Sequence, residues 1–92
     1  MIVSFKDKDT EKLASGERVK QFQSIEDIAR RKIRQLEIAN VLEDLRIPPG
    51  NRLEALKGNR AGQHSIRIND KYRVCFTWTN AGAEDVEIVD YH

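Results

Sequence analysis

Ninety-two residues, 39% hydrophobic and 34% charged, make a chain long enough for one small core, read as a single domain over residues 1–92. No stretch approaches the roughly 20 apolar residues that a membrane-spanning helix needs, which excludes that class. The formal net charge of +1 hides a segregation: residues 46–73 carry seven Lys or Arg against two acidic residues, whereas residues 74–92 carry four acidic residues and no Lys or Arg. A basic block of that size can follow a polyanion's backbone, although it serves plain solvation equally well.

In chain order, Ile2-Val3-Ser4-Phe5 reads as a short first strand. The segment from Met1 to Asp7 is too short and too soon charged for a secretory signal, which points to the cytoplasm. Asp9 to Ser15 before Gly16 reads as a short helix with acidic residues at its start. Ser24, with Asp27 three residues on, has the spacing of an N-cap. Ile25, Ile28, Ala29, Ile33 and Leu36 then keep helical spacing along one face. Ile38, Val41, Leu42 and Leu45 fall on a different side, and Asn40 and Glu43 repeat the capping spacing, so a kink or restart is expected near Asn40. Pro48-Pro49-Gly50-Asn51 ends the helical half, because proline lacks the amide donor and biases its predecessor toward extended backbone.

The second half reads as an antiparallel sheet. Arg52–Leu56 leads through a glycine-containing turn over residues 58–62 to His64–Ile68, and Asn69-Asp70 makes the next turn. From Tyr72 to Thr79 the chain alternates, with Tyr72, Val74, Phe76 and Trp78 on one face and Arg73, Cys75, Thr77 and Thr79 on the other. Asn80 to Ala83 turns into a last strand, Asp85 to Val89, which runs into Asp90-Tyr91-His92. The fold class is therefore α+β, with the helices of the first half covering one face of a mainly antiparallel sheet.

Chemistry concentrates at the end of that strand, where a carboxylate, a phenol and an imidazole stand together. RNA is cleaved when a base takes the proton of a 2′-hydroxyl, a cation steadies the crowded phosphate, and an acid protonates the departing 5′-oxygen. No metal is required. His92, with an ordinary pKa near 6.5, can serve as acid or base, and Asp90 and Glu54 are possible bases. Lys57, Arg60 and Arg73 are possible phosphate clamps, and Tyr91 can donate a hydrogen bond or stack on a base. Each has a plainer alternative: Glu54 and Arg73 as solvated strand residues, Lys57 as a turn residue, His92 as an idle final residue. His64 reads as structural or exposed. Cys75, the single cysteine, has no ligand-spaced partner and reads as a small core residue, and no metal-binding or phosphate-loop motif is present.

The order of these pieces carries a resemblance. Arg52-Leu53-Glu54-Ala55-Leu56-Lys57-Gly58-Asn59-Arg60, then Gly62 to Arg67, then Tyr72-Arg73-Val74-Cys75-Phe76 and Asp90-Tyr91-His92, resembles HigB-type toxins of the RelE/ParE superfamily over nearly the whole chain. The resemblance implies a RelE-like fold, N-terminal helices packed on a curved sheet. It implies a toxin that enters the A site of the small ribosomal subunit and cleaves mRNA there, with no cofactor, opposed by a HigA-type helix-turn-helix antitoxin. It also implies a catalytic set of Lys57, Arg73, Asp90, Tyr91 and His92, with Glu54 standing where some relatives have histidine, and RNA contacts through Lys57, Arg60, Arg67 and Arg73. Glu54, Asp90 and a terminal carboxylate would hold the His92 imidazole protonated above its ordinary range, which suits the acid. Two alternatives remain: a ParE-like toxin that acts on DNA gyrase without cutting RNA, and a non-catalytic module that binds RNA or a protein partner.

Overall fold

Asp7 starts the first helix, two residues ahead of the acidic position the sequence suggests. Its carboxylate accepts from the Thr10 amide at 3.0 Å and from the Thr10 hydroxyl at 2.7 Å, which caps α1 over Lys8–Ala14. The structure, a computed structural model, describes residues 1–91; His92, the acid of the expected catalytic set, lies outside the described residues. A 3-10 segment at Lys20–Ile25 then feeds directly into α2, Glu26–Ile38. Ser24 lies inside that segment and caps nothing, because the chain is already helical when it reaches Ser24.

Helix α2 buries Ala29, Ile33 and Leu36, whereas Ile28, expected on the same face, is exposed. The expected break follows: Ala39 is extended, and helix resumes as a 3-10 turn at Leu42–Arg46. Its cap is Asp44 rather than a pairing of Asn40 with Glu43, since the Asp44 carboxylate accepts from the amides of Asn40 at 2.9 Å and Val41 at 3.3 Å. Of the four apolar residues here, Leu45 is buried and Leu42 partly so, while Ile38 and Val41 face solvent.

Four antiparallel strands follow in the order β1-β2-β3-β4: Glu54–Ala55, His64–Arg67, Tyr72–Thr79 and Gly82–Asp90. The expected first strand is reduced to two parallel bridges, Ile2 to Ala83 and Phe5 to Val86, along the free edge of β4. Where that segment ends, the buried Thr10 hydroxyl accepts from the Ile88 amide at 3.1 Å, so α1 satisfies the next ladder position. A register shift between Cys75 and Thr77 faces Asp85, whose φ of 52° marks the bulge. A bulge adds twist, and twist curves the sheet.

One face of this sheet makes the core with the helices. Leu13, Phe22, Ile25, Ala29, Ile33, Leu36 and Leu45 pack on Ile66, Val74, Phe76, Val86 and Ile88, and Phe22 meets Tyr72 edge-on at 6.0 Å. Cys75 is also buried, but on the other face and outside that cluster, so the expectation of a core cysteine is corrected in position. What covers it belongs to the site.

Candidate functional site

Antiparallel register sets four side chains in a row across the helix-free face. Glu54 pairs with Ser65, Ser65 with Cys75, and Cys75 with Glu87. The two central members are small and buried, Ser65 fully and Cys75 to 1% exposure. A carboxylate stands at each end, so the row is a shallow floor between two anionic posts.

Each post holds a guanidinium. Arg73 reaches over from β3, donating from Nε to the Ser65 hydroxyl at 2.7 Å and from Nη2 to the Arg52 carbonyl at 2.8 Å, with Glu54 Oε1 3.9 Å away. Arg52 sits at φ 45°, a left-handed backbone that costs a non-glycine residue roughly 1 kcal/mol and here belongs to the turn that offers its carbonyl to Arg73. At the other end Arg60 donates from Nη1 to Glu87 Oε1 at 3.0 Å and to Gln63 Oε1 at 3.1 Å. That hydrogen bond raises the guanidinium's pKa further.

Tyr91 closes the site from above. Its ring lies 5.9 Å from the Arg73 guanidinium carbon, and its hydroxyl meets the Cys75 thiol at 3.9 Å. Burial pushes the Cys75 thiol above its usual range, with the Tyr91 hydroxyl and Arg60 pulling the other way, so it is neutral at physiological pH. Burial of the hydroxyl end and the adjacent thiol likewise raise the Tyr91 phenol, which keeps it a hydrogen-bond donor although 44% of the residue is open. The Tyr91 amide donates to the Lys71 carbonyl at 2.7 Å, which continues the ladder one step past β4 and pins the ring.

Beside this floor opens a cleft of 420 Å³ lined by Glu54, Ala55, Leu56, Lys57, Arg60 and Tyr91. Lys57 stands at the start of the 3-10 turn Gly58–Arg60, whose first residue has a φ of 64° that glycine adopts freely. A larger groove of 530 Å³ lies between the N-terminal segment and α2, lined by Ile2, Phe5 and Ile33 together with Arg30, Arg34 and Glu37, and Arg30 is engaged by the carbonyls of Leu13 and Glu17.

Of the residues picked out from sequence, Glu54, Lys57, Arg60, Arg73 and Tyr91 thus converge on one face. Arg67 is on that face but is ion-paired to Asp70 in the β2–β3 turn and does not line the cleft. Asp90 pairs in register with Tyr72, so by strand alternation it leaves β4 on the side opposite Cys75 and Tyr91; its carboxylate is 3.8 Å from Lys71 Nζ. Ser65, Cys75, Gln63, Glu87 and the Arg52 carbonyl escaped sequence reading, because only cross-strand register brings them together. Among the described residues no group of His, Cys, Asp and Glu is arranged to hold a metal ion, and no helix is long and apolar enough to cross a membrane.

The face thus carries an open cleft beside a held arginine, a tyrosine and a lysine turn. Residues 3–92 match the family of RelE-like toxins of the type II toxin-antitoxin system HigB. The chain belongs to this family. Toxin HigB-1 of Vibrio cholerae serotype O1 is 42% identical over 85 residues, covering 90% of each chain. The α+β architecture is the RelE-like fold of this HigB toxin, and a type II toxin implies an antitoxin partner.

Proposed function

We propose that this HigB toxin is a ribosome-dependent mRNA endonuclease that cuts in the A site of the small subunit by 2′-hydroxyl attack on the adjacent phosphate. The observation that carries the reading is Arg73: its guanidinium is fixed by the Ser65 hydroxyl at 2.7 Å and the Arg52 carbonyl at 2.8 Å beneath the Tyr91 ring, beside a cleft wide enough for a nucleotide. A donor held before the substrate arrives needs no reorganisation as charge develops on the phosphate.

In this mechanism Glu54, on the rim 3.9 Å from Arg73, accepts the 2′-hydroxyl proton. Lys57 and Arg73 steady the phosphate, with Arg60 and Arg67 contributing charge along the RNA backbone. Tyr91, a neutral phenol, stacks on the base or donates a hydrogen bond. His92, assigned from sequence, gives its proton to the 5′-oxygen, while Asp90, which leaves β4 on the side opposite Tyr91, has no direct part in the cleft. Positive charge on the phosphate comes from side chains throughout, so the step uses no metal ion and no cofactor. The toxin acts in the cytoplasm, where ribosomes are, and is neutralised by a HigA-type helix-turn-helix antitoxin.

Single-turnover cleavage on mRNA-programmed ribosomes tests this reading. Arg73→Gln is expected to lose on the order of a hundred- to a thousandfold in rate, the range for a donor aimed at developing charge. Cleavage at the wild-type rate by Arg73→Gln would remove the central cation from the mechanism.

A further inference from the structure

Arg60 contributes to the cleft wall, yet its guanidinium is already held from within the protein. It spans from the 3-10 turn Gly58–Arg60 to Glu87 Oε1 on β4 at 3.0 Å, across 27 positions of sequence, and to Gln63 Oε1 at 3.1 Å. Glu87 is only one-fifth exposed, with Lys6 Nζ at 4.0 Å as its second cation. The turn has little else to hold it. Among the described residues its backbone bonds run within residues 57–63 and onward through Leu56 N to Gln63 O at 2.9 Å, and β1 contributes just two residues to the sheet.

We propose that Glu87 is a positioning residue for the cleavage reaction, acting through Arg60 to hold the 57–60 turn, and with it Lys57, against the pinned Tyr91. The proposal rests on the nuclease reading and adds to it a residue that touches no substrate. It follows from the geometry of the row. The central members, Ser65 and Cys75, are too short to reach the turn, so the carboxylate at the β4 end supplies the tie between the sheet and the Lys57 wall. Paired to Glu87, Arg60 keeps its Nη2 and Nε groups without a protein partner among the described residues, and these are the donors it turns to RNA.

A double-mutant cycle on the full chain separates positioning from general support. Glu87→Gln keeps the shape and removes the charge. It is expected to lower the single-turnover rate about ten- to a hundredfold, as a displaced catalytic wall does, with the toxin concentration for half-maximal rate little changed. Arg60→Gln should lose at least as much, and the double variant should be no slower than Arg60→Gln alone, because Glu87 acts only through Arg60. Glu87→Asp, which keeps the charge on a shorter stem, should recover part of the rate. Additive losses in the double variant, an unchanged rate in Glu87→Gln, or faster cleavage once the carboxylate no longer competes for Arg60 would each overturn the proposal. Backbone ¹⁵N relaxation reads the tie without any RNA: order parameters over residues 58–60 should fall from the rigid value of ~0.85 toward ~0.6 in Glu87→Gln. A wild-type toxin that cuts no RNA on ribosomes would strike the nuclease reading, and with it the cleavage role, while a rigid turn that loosens in Glu87→Gln would still establish the tie. Unchanged order parameters would refute it.

Discussion

Ser65 shows how much of an arginine's value lies in its neighbours. The hydroxyl is fully buried and accepts from Arg73 Nε at 2.7 Å, which fixes where the guanidinium plane faces. Ser65→Ala is therefore expected to cost about 1 kcal/mol of stability, the usual value of one intramolecular hydrogen bond, measured by urea unfolding. Its effect on single-turnover cleavage should be larger than that stability loss explains, because the arginine is no longer aimed. Cys75 provides a separate test of how the site is covered. Because burial raises its thiol pKa, the folded protein holds that proton at pH values where an unfolded chain has lost it. Stability from this group is thus full below the ordinary thiol range and declines as pH rises through it. Iodoacetamide should modify Cys75 slowly in the folded toxin at pH 8 and rapidly in urea, whereas rapid modification of the folded protein would mean that Tyr91 does not cover it.

At the scale of elements, spacing along the chain revealed what is local and missed what is cross-strand. The apolar face of α2, its end near Asn40, the three hairpins and the alternation of β3 are legible, since each depends on residues a few positions apart. The Ile2–Phe5 segment forms less strand than its residues suggest because it meets β4 at two bridges, and Ser24 is no cap because the chain is already in a 3-10 segment there. Arg73 and Lys57 could be picked out as cations near an acid–base tail. Glu87 could not, since nothing in its sequence neighbourhood reveals that it stands in register with Cys75.

Asn51, in the 3-10 turn Pro49–Asn51 that leads into β1, is tied to the helical half. Fully buried, it donates to the carbonyl of Leu45 at 3.1 Å and to Gln35 at 2.7 Å, and accepts from Lys32 at 2.6 Å. Burial and the nearby Arg31 and Arg67 lower the Lys32 pKa, so that ammonium also depends on the amide. Asn51→Ala is expected to cost about 2 kcal/mol in urea unfolding, within the range for orphaning buried polar groups. A change near zero would mean that solvent reaches the network.

For the whole molecule, segregation of charge becomes a division of labour across one sheet. Basic residues from the 46–73 block, Lys57, Arg60 and Arg73, meet an acidic last strand whose carboxylate at Glu87 fixes one of them rather than repelling RNA from the cleft. The opposite face is given to the helices and the core, while on this face Arg73 and Tyr91 cover Ser65 and Cys75, and the open space is the cleft beside them, walled by Glu54, Lys57, Arg60 and Tyr91. The most direct measurement is to incubate purified toxin with ribosomes carrying mRNA and a filled P site, and to determine where the message is cut and what ends remain. Attack by the 2′-hydroxyl requires a cut within the A-site codon that leaves a 2′,3′-cyclic phosphate on one product and a 5′-hydroxyl on the other. An intact message, or products bearing a 5′-phosphate, would contradict the account.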